Sequence, residues 1–286
     1  MTLIALRPAI LLRTLAAHSV ILLWCVSLAT GASETTVEAP SPSAQYGQLF
    51  LVSTGIGDLD NMTLRARDTI AEADIVFGMK RLREQLAELL QGKDTYEAGH
   101  GLFRTLGRND EDQQELEAQA RQVIRAAVAD GKSVVILDYG DPMIYGPQSG
   151  YLQEFADLDP VVVPGLSSFN AANAALGRAI VGGGKSQGIV LTSAPRETDE
   201  AARQEAFARL AKAKPTLVLF TMRSDFEHTI AALGRWYPAD TPIAIVTHAG
   251  DRQQQVITAT LATIGEQIKG RELPFEHLIY VGDFLR

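Results

Sequence analysis

The 286-residue chain has one cysteine, Cys25, so it can form no internal disulfide, and a mature form cut near Ala32 would have no thiol at all. It also has no excess of basic residues. Its 26 Lys and Arg are outnumbered by 34 Asp and Glu, a formal charge of −8. That balance excludes a general nucleic-acid binder, which clusters Lys and Arg to displace counterions from phosphates. No short internal repeat is visible. What is present is an ordinary globular composition, 46% hydrophobic, with room for two modest domains and a core that needs no covalent staples.

The N-terminus stands apart. Arg7 and Arg13 precede the apolar run Leu15-Ala-Ala-His-Ser-Val-Ile-Leu-Leu-Trp-Cys-Val-Ser-Leu28, and the small residues Ala29 to Ala32 follow. This is the charged, apolar, small-residue order of a secretory signal. The run is about the minimum for a membrane span and His18 interrupts it, so an uncleaved anchor is the alternative. Trp24, bulky and just before Cys25, argues against lipoprotein processing. Residues 1–32 are therefore expected to be a signal peptide or anchor. The protein is then exported to the periplasm or membrane-tethered, or cytoplasmic if translation starts further downstream. Residues 33–45 are polar, contain two prolines and have no period, the composition of a flexible tether.

Beyond the tether, short Val/Ile/Leu runs alternate with helical stretches, which predicts an α/β class with parallel sheets covered by helices on both faces. Strands are expected near 48–54, 75–77, 133–138 and 160–163, then near 188–192, 216–221, 243–247, 254–258 and 278–282. Helices are expected near 63–73, 80–90 and 110–130, then near 167–176, 198–213, 225–236 and 261–269. A boundary near Pro164 divides the chain into α/β domains of residues 46–163 and 164–286.

Four strand ends carry the functional signal. Leu51-Val-Ser-Thr-Gly-Ile-Gly-Asp58 runs from a buried strand into a glycine turn, and Gly55 and Gly57 are expected to let that turn approach a ligand. Asp58 reads equally well as a turn or helix-cap residue. Val134-Val-Ile-Leu-Asp-Tyr-Gly-Asp-Pro-Met-Ile-Tyr-Gly146 is a second strand. Its Tyr139, Gly140 and Asp141 lie where ligands of open α/β sheets bind, although Gly-Asp-Pro also suits a simple β-turn. Val161-Val-Val-Pro-Gly-Leu-Ser-Ser-Phe169 is a third, and one of Ser167 and Ser168 is expected to cap the helix that follows. Thr241-Pro-Ile-Ala-Ile-Val-Thr-His-Ala-Gly-Asp251 is the fourth.

In this order and at these separations the four segments resemble the tetrapyrrole (corrin/porphyrin) methylase family, from about Gln48 to the C-terminus. Pro164 to Arg178, with Ser186-Gln-Gly-Ile-Val-Leu-Thr192 after it, looks most like the precorrin-4 C11-methyltransferase branch. Met79 and His100 depart from the residues that some sirohaem-forming relatives have in those neighbourhoods.

The resemblance implies two α/β domains with S-adenosylmethionine in the cleft between them, a tetrapyrrole substrate and a homodimer. It implies that Gly55, Ile56, Gly57, Asp58, Tyr139, Gly140, Asp141, Ile144, Ser167, Ser168, Thr221 and Ala249 line the cofactor site. Ile56 replaces a proline usual in the family. In-line methyl transfer to carbon rests mainly on positioning and exclusion of water, and needs no metal and no covalent nucleophile. Where the ring must lose a proton, His100, Asp141 and Tyr145 are the candidate bases, with an exposed loop histidine as the alternative reading of His100. Among Lys80, Arg81, Arg83, Arg104 and Arg108, Arg104 is the expected partner of a substrate carboxylate, and the rest read as solvated helix faces. Two alternatives stay open: an exported tetrapyrrole-binding protein on a methylase scaffold without catalysis, and a methylase of this fold with another acceptor.

Overall fold

A computed structural model describes residues 47–104, 111–181, 186, 188–195, 201–222, 225–275 and 277–286. The expected signal or anchor, the tether and Arg108 lie outside the described residues. Among those described, no helix is long and apolar enough to cross a membrane.

The first sheet is built from β1 (Leu49–Ser53), β2 (Ile75–Gly78), β3 (Asp94–Glu97), β4 (Val134–Asp138) and β5 (Val161–Val163), in the order β3-β2-β4-β1-β5 and parallel throughout. Its central strands show no polar alternation because both faces are covered. Leu49, Leu51, Val134 and Ile136 pack towards α3 (Glu111–Ala129) and α4 (Gly150–Glu154), where Ile124, Tyr151 and, just after α4, Phe155 are buried. Val52, Val135 and Leu137 face the other way, against Ile70 of α1 (Leu64–Glu72) and Leu82 of α2 (Lys80–Gln85). The helix expected over 80–90 is regular only to Gln85. β3 was not anticipated, since Asp-Thr-Tyr-Glu is polar, and as an edge strand it needs no apolar run.

The second sheet holds β6 (Ile189–Ser193), β7 (Thr216–Phe220), β8 (Pro242–Thr247), β9 (Gln255–Thr260) and β10 (His277–Val281), in the order β6-β7-β10-β8-β9. Here the expectation of a parallel sheet is corrected. Only β6 and β7 are parallel, while β10 runs antiparallel to both β7 and β8, and β8 antiparallel to β9. The last strand inserts between two earlier ones, a direction that hydrophobic patterning does not encode. α6 (Ala201–Ala213), α7 (Phe226–Leu233) and α8 (Ile264–Ile268) complete this half, with Phe207, Leu233 and Ile264 in its core.

α5 (Ser168–Leu176) leaves the first sheet and packs on the second. The Tyr280 hydroxyl on β10 donates to the Phe169 carbonyl at 3.2 Å and to Asn173 Oδ1 at 2.8 Å. The carboxyl ends of β1, β4 and β5 are thereby brought against the ends of β7 and β8.

Candidate functional site

The site grows from two turns that are tied to each other. Beyond β1, the Thr54 N–H and hydroxyl both donate to the Asp138 carbonyl, at 2.7 and 3.0 Å. The Gly140 N–H donates to the Gly55 carbonyl at 2.7 Å, an isolated antiparallel bridge. The Ser53 hydroxyl donates to the Gly140 carbonyl and accepts from the Gly55 N–H.

Gly55 and Gly57 have φ of +76° and +74°, in the left-handed region. The expectation that their missing side chains clear a ligand is corrected by what surrounds them. A Cβ on Gly57 would lie 2.2 Å from the Gly250 carbonyl oxygen, and one on Gly55 would lie 2.5 Å from that of Asn61. Protein backbone fills that space. The Gly250 carbonyl, from the connection after β8, accepts from the Asp58 N–H at 3.0 Å and from Asn61 Nδ2 at 2.7 Å. Asn61 Nδ2 also donates to the Ile56 carbonyl at 2.9 Å, so the first turn is a joint between the halves.

Gly140 differs. Its φ is +69°, and the nearest atom to an added Cβ is Ser167 Cα at 4.0 Å. It borders a cavity of about 480 Å³, within the usual range for small-molecule sites. Gly55, Ile56 and Gly57 line this cavity from the first turn, and Tyr139, Gly140, Asp141, Ile144 and Tyr145 from the second. Ser167 and Ser168 border it at the start of α5, and Thr221 and Ala249 come from the second half. The Ser167 hydroxyl is also the helix cap, accepting from the Asn170 N–H at 3.3 Å. Asp141 likewise serves its turn: its Oδ1 accepts from the Met143 N–H at 2.8 Å, and its carbonyl accepts from the Ile144 N–H. The turn and the cavity wall are the same residues.

Three expected site residues stand off the cavity wall. Asp58 precedes a short 3-10 turn without capping it through its side chain, and its carboxylate lies 3.6 Å from Arg252 Nε. Arg104 donates to the Gly146 carbonyl at 3.1 Å and to Ser149 Oγ at 3.0 Å. His100 is exposed on its loop.

Other wall residues escaped the sequence reading. Arg81, taken as a solvated helix face, lines the cavity, as do Asp251, His248 and His277. Tyr145, Met222 and His248 line it with φ of +61°, +38° and +50°. Such conformations in non-glycine residues persist where surrounding structure enforces them, and they gather at ligand sites. The Tyr145 ring sits 4.6 Å from that of Phe220, holding the second turn against the end of β7.

Asp138 lies directly beneath the second turn with no solvent exposure. Burial pushes its carboxyl up to about 7, against the N–H groups of Gln148 and Tyr139, which donate to it at 3.1 and 2.9 Å. The Arg104 charge acts in the same downward direction as those donors. As the last residue of an apolar strand, Asp138 gave no sign in the sequence of a raised carboxyl.

A profile of the tetrapyrrole (corrin/porphyrin) methylases matches residues 48–265, from just before β1 into α8. The chain is 29% identical over 242 residues to the cobalt-precorrin-4 C(11)-methyltransferase of Methanocaldococcus jannaschii, covering 83% of this chain and 88% of that protein. It is 28% identical over 254 residues to siroheme synthase 1 of Klebsiella pneumoniae, covering 87% of this chain and 51% of that protein, so it spans about half the length of this relative. Among solved structures, the cobalt precorrin-4 methyltransferase CbiF superposes with a TM-score of 0.65 at 22% identity, covering 84% of this chain and 96% of that one. The uroporphyrin-III C-methyltransferase of Thermus thermophilus, complexed with S-adenosylhomocysteine, superposes with a TM-score of 0.61 at 25% identity, covering 84% and 94%. With its two sheets, its joined glycine turns and a match along most of its length, the chain belongs to the tetrapyrrole (corrin/porphyrin) methylases, a family of S-adenosylmethionine-dependent methyltransferases.

Proposed function

We propose that this protein methylates a ring carbon of a precorrin-type tetrapyrrole, with a precorrin-4-like intermediate as acceptor and S-adenosylmethionine bound in the cavity between the two sheets. The observation that carries the reading is the convergence of both glycine turns, the start of α5 and the ends of β7 and β8 on that cavity. The wall suits the donor. Asp141 and Asp251 offer negative charge to a sulfonium and an ammonium, and Ile144, Phe220, Val246 and Leu278 offer an apolar surface to an adenosyl group.

When bound, S-adenosylmethionine supplies an electrophilic methyl group on a sulfonium. The residues of this chain do the rest. The two turns fix the line of approach, and the apolar wall keeps water from the reacting atoms. Asp141 and Tyr145, both on the wall, are placed to take a proton from the acceptor carbon, whereas His100 stands away from it. Arg81 is the wall residue suited to an acceptor carboxylate, in preference to Arg104 with its backbone partner.

The test is calorimetric titration of the protein with S-adenosylhomocysteine, followed by incubation with S-adenosylmethionine and a precorrin-type acceptor and mass analysis of the product. Asp141→Asn is expected to stay folded and lose transfer. Full activity in that variant would remove Asp141 from the site.

A second reading, favoured by the signal-like order from Arg7 to Ala32, keeps the tetrapyrrole and drops the transfer. Tetrapyrrole binding without binding of S-adenosylhomocysteine would select it.

A further inference from the structure

Asp138, the last residue of β4, is buried beneath the second turn, and both of its carboxylate oxygens are engaged by that turn. Oδ1 accepts from the Tyr139 N–H at 2.9 Å and Oδ2 from the Gln148 N–H at 3.1 Å, so one side chain grips the two ends of residues 139–148. This span carries Tyr139, Gly140, Asp141, Ile144 and Tyr145 of the cavity wall. The turn passes close over the carboxylate: a Cβ on Gly146 would lie 2.6 Å from Asp138 Oδ2. Gln148, also buried, is held from its other side, where its Nε2 donates to the Gly99 carbonyl at 2.8 Å.

Burial is costly for an ionised carboxylate, and the two N–H groups offset part of that cost, which leaves the group titrating near neutrality, at about 7. Few charges face it. Arg104, from the loop after β3, favours the ionised form, and Asp141, from the turn itself, opposes it. The strands that flank β4, β1 and β2, end in Ser53 and Gly78, and Gln148 and Ser149 lead into α4; none of these is charged. Hydrogen bonds to a charged acceptor are about twice as strong as neutral ones, and a protonated oxygen is a poorer acceptor. A proton on Asp138 therefore weakens its grip on the turn.

We propose that Asp138 is a positioning residue of the methyl-donor site: in its ionised form it clamps both ends of the second turn and holds the cavity wall in the shape that binds the donor. The inference rests on the reading of the cavity as the S-adenosylmethionine site. Donor affinity then falls as pH drops through about 7. By the reciprocity of linked equilibria, donor binding near that pH releases protons, because the bound state favours the ionised clamp.

The test is calorimetric titration of the protein with S-adenosylhomocysteine on either side of that pH, in buffers of high and low ionisation enthalpy. Wild-type affinity is expected to fall about fivefold from one pH unit above the midpoint to one below, the scale of one charge-assisted hydrogen bond, with proton release at the midpoint. Asp138→Asn, which has a single acceptor oxygen and no charge, is expected to bind about fivefold more weakly at the higher pH and to lose both the pH dependence and the proton release. A purely structural role would lower affinity at every pH and release no proton in the wild type. Because Asp138→Asn retains His248 and His277 on the cavity wall, it separates their titration from that of Asp138. Should Asp138→Asn fail to fold, Arg104→Gln decides: it removes the charge that favours ionised Asp138, so the midpoint of the wild-type profile is expected to move to higher pH. A flat wild-type profile, a profile unchanged in Asp138→Asn, or a midpoint unmoved in Arg104→Gln would overturn the assignment while leaving the donor site intact. No binding of S-adenosylhomocysteine by the wild-type protein at any pH would overturn the donor reading and this inference with it.

Discussion

The two glycine turns that meet at the Gly55–Gly140 bridge have the same left-handed backbone and opposite surroundings. In the first, the space where side chains would stand is occupied by carbonyls of Asn61 and Gly250. In the second, Gly140 looks onto the cavity with no atom closer than 4.0 Å to an added Cβ. One turn uses glycine to join the halves, and the other leaves the cavity wall open beside it. A glycine-rich turn at the end of a strand is therefore not by itself evidence of ligand contact at each glycine.

The largest expected effect lies beneath the second turn. Asp138 holds its proton up to about pH 7 in the fold, whereas its ordinary value is 3.8. The native state therefore binds more protons than the unfolded chain across this interval. The stability this contributes is full below about pH 4 and is lost as pH rises to about 7, a change of roughly 4 kcal/mol. His277 works with the opposite sign, because its lowered value contributes stability that is lost as pH falls below its ordinary 6.5. Denaturant unfolding of Asp138→Asn across this range should show the downward trend removed. A slope as steep as the wild type's would mean that Asp138 is ionised in the fold.

Next comes Gly57→Ala, expected to cost about 3 kcal/mol. A left-handed alanine accounts for roughly 1–2 kcal/mol, and displacement of the Gly250 backbone supplies the remainder. Gly140→Ala should cost only about 1–2 kcal/mol, from backbone strain alone. It should nevertheless reduce affinity for S-adenosylhomocysteine about tenfold or more, since its methyl group enters a ligand-sized cavity. Unfolding curves and calorimetric titrations of the two variants together decide the contrast. It breaks if Gly57→Ala loses binding at unchanged stability while Gly140→Ala does the reverse.

The smallest effect separates two arginines. Arg81→Ala should raise KM for the acceptor about fivefold, the scale of a solvent-screened ion pair, and leave S-adenosylhomocysteine affinity unchanged. Arg104→Ala should alter KM less, because its guanidinium is committed to Gly146 and Ser149. Steady-state kinetics with a precorrin-type acceptor rank them, and a larger change at Arg104 would reverse the assignment.

Much of the first half was legible in the sequence. β1 and β4 are buried on both faces, so their composition alone marks them as central parallel strands, and the turns after them carry residues with narrow conformational roles. The cap at Ser167 was visible for the same reason, because the few side chains that satisfy free N–H groups are recognisable by type. β3 was not legible, since an edge strand makes few demands on its side chains. Arg104 was preferred to Arg81 in sequence, and no local pattern showed that Arg81 would line the cavity.

Local sequence determined the α/β alternation, the buried strands and the positions of the turns, because these follow from burial periodicity and from what single residues permit the backbone. The tertiary structure alone decided that β10 enters between β7 and β8, that the Gly250 carbonyl fills the place beside Gly57, and that Arg81 and His277 line one cavity. Each of these joins residues far apart in the chain. Such contacts arise from the packing of one half against the other, and no local pattern of residues records them.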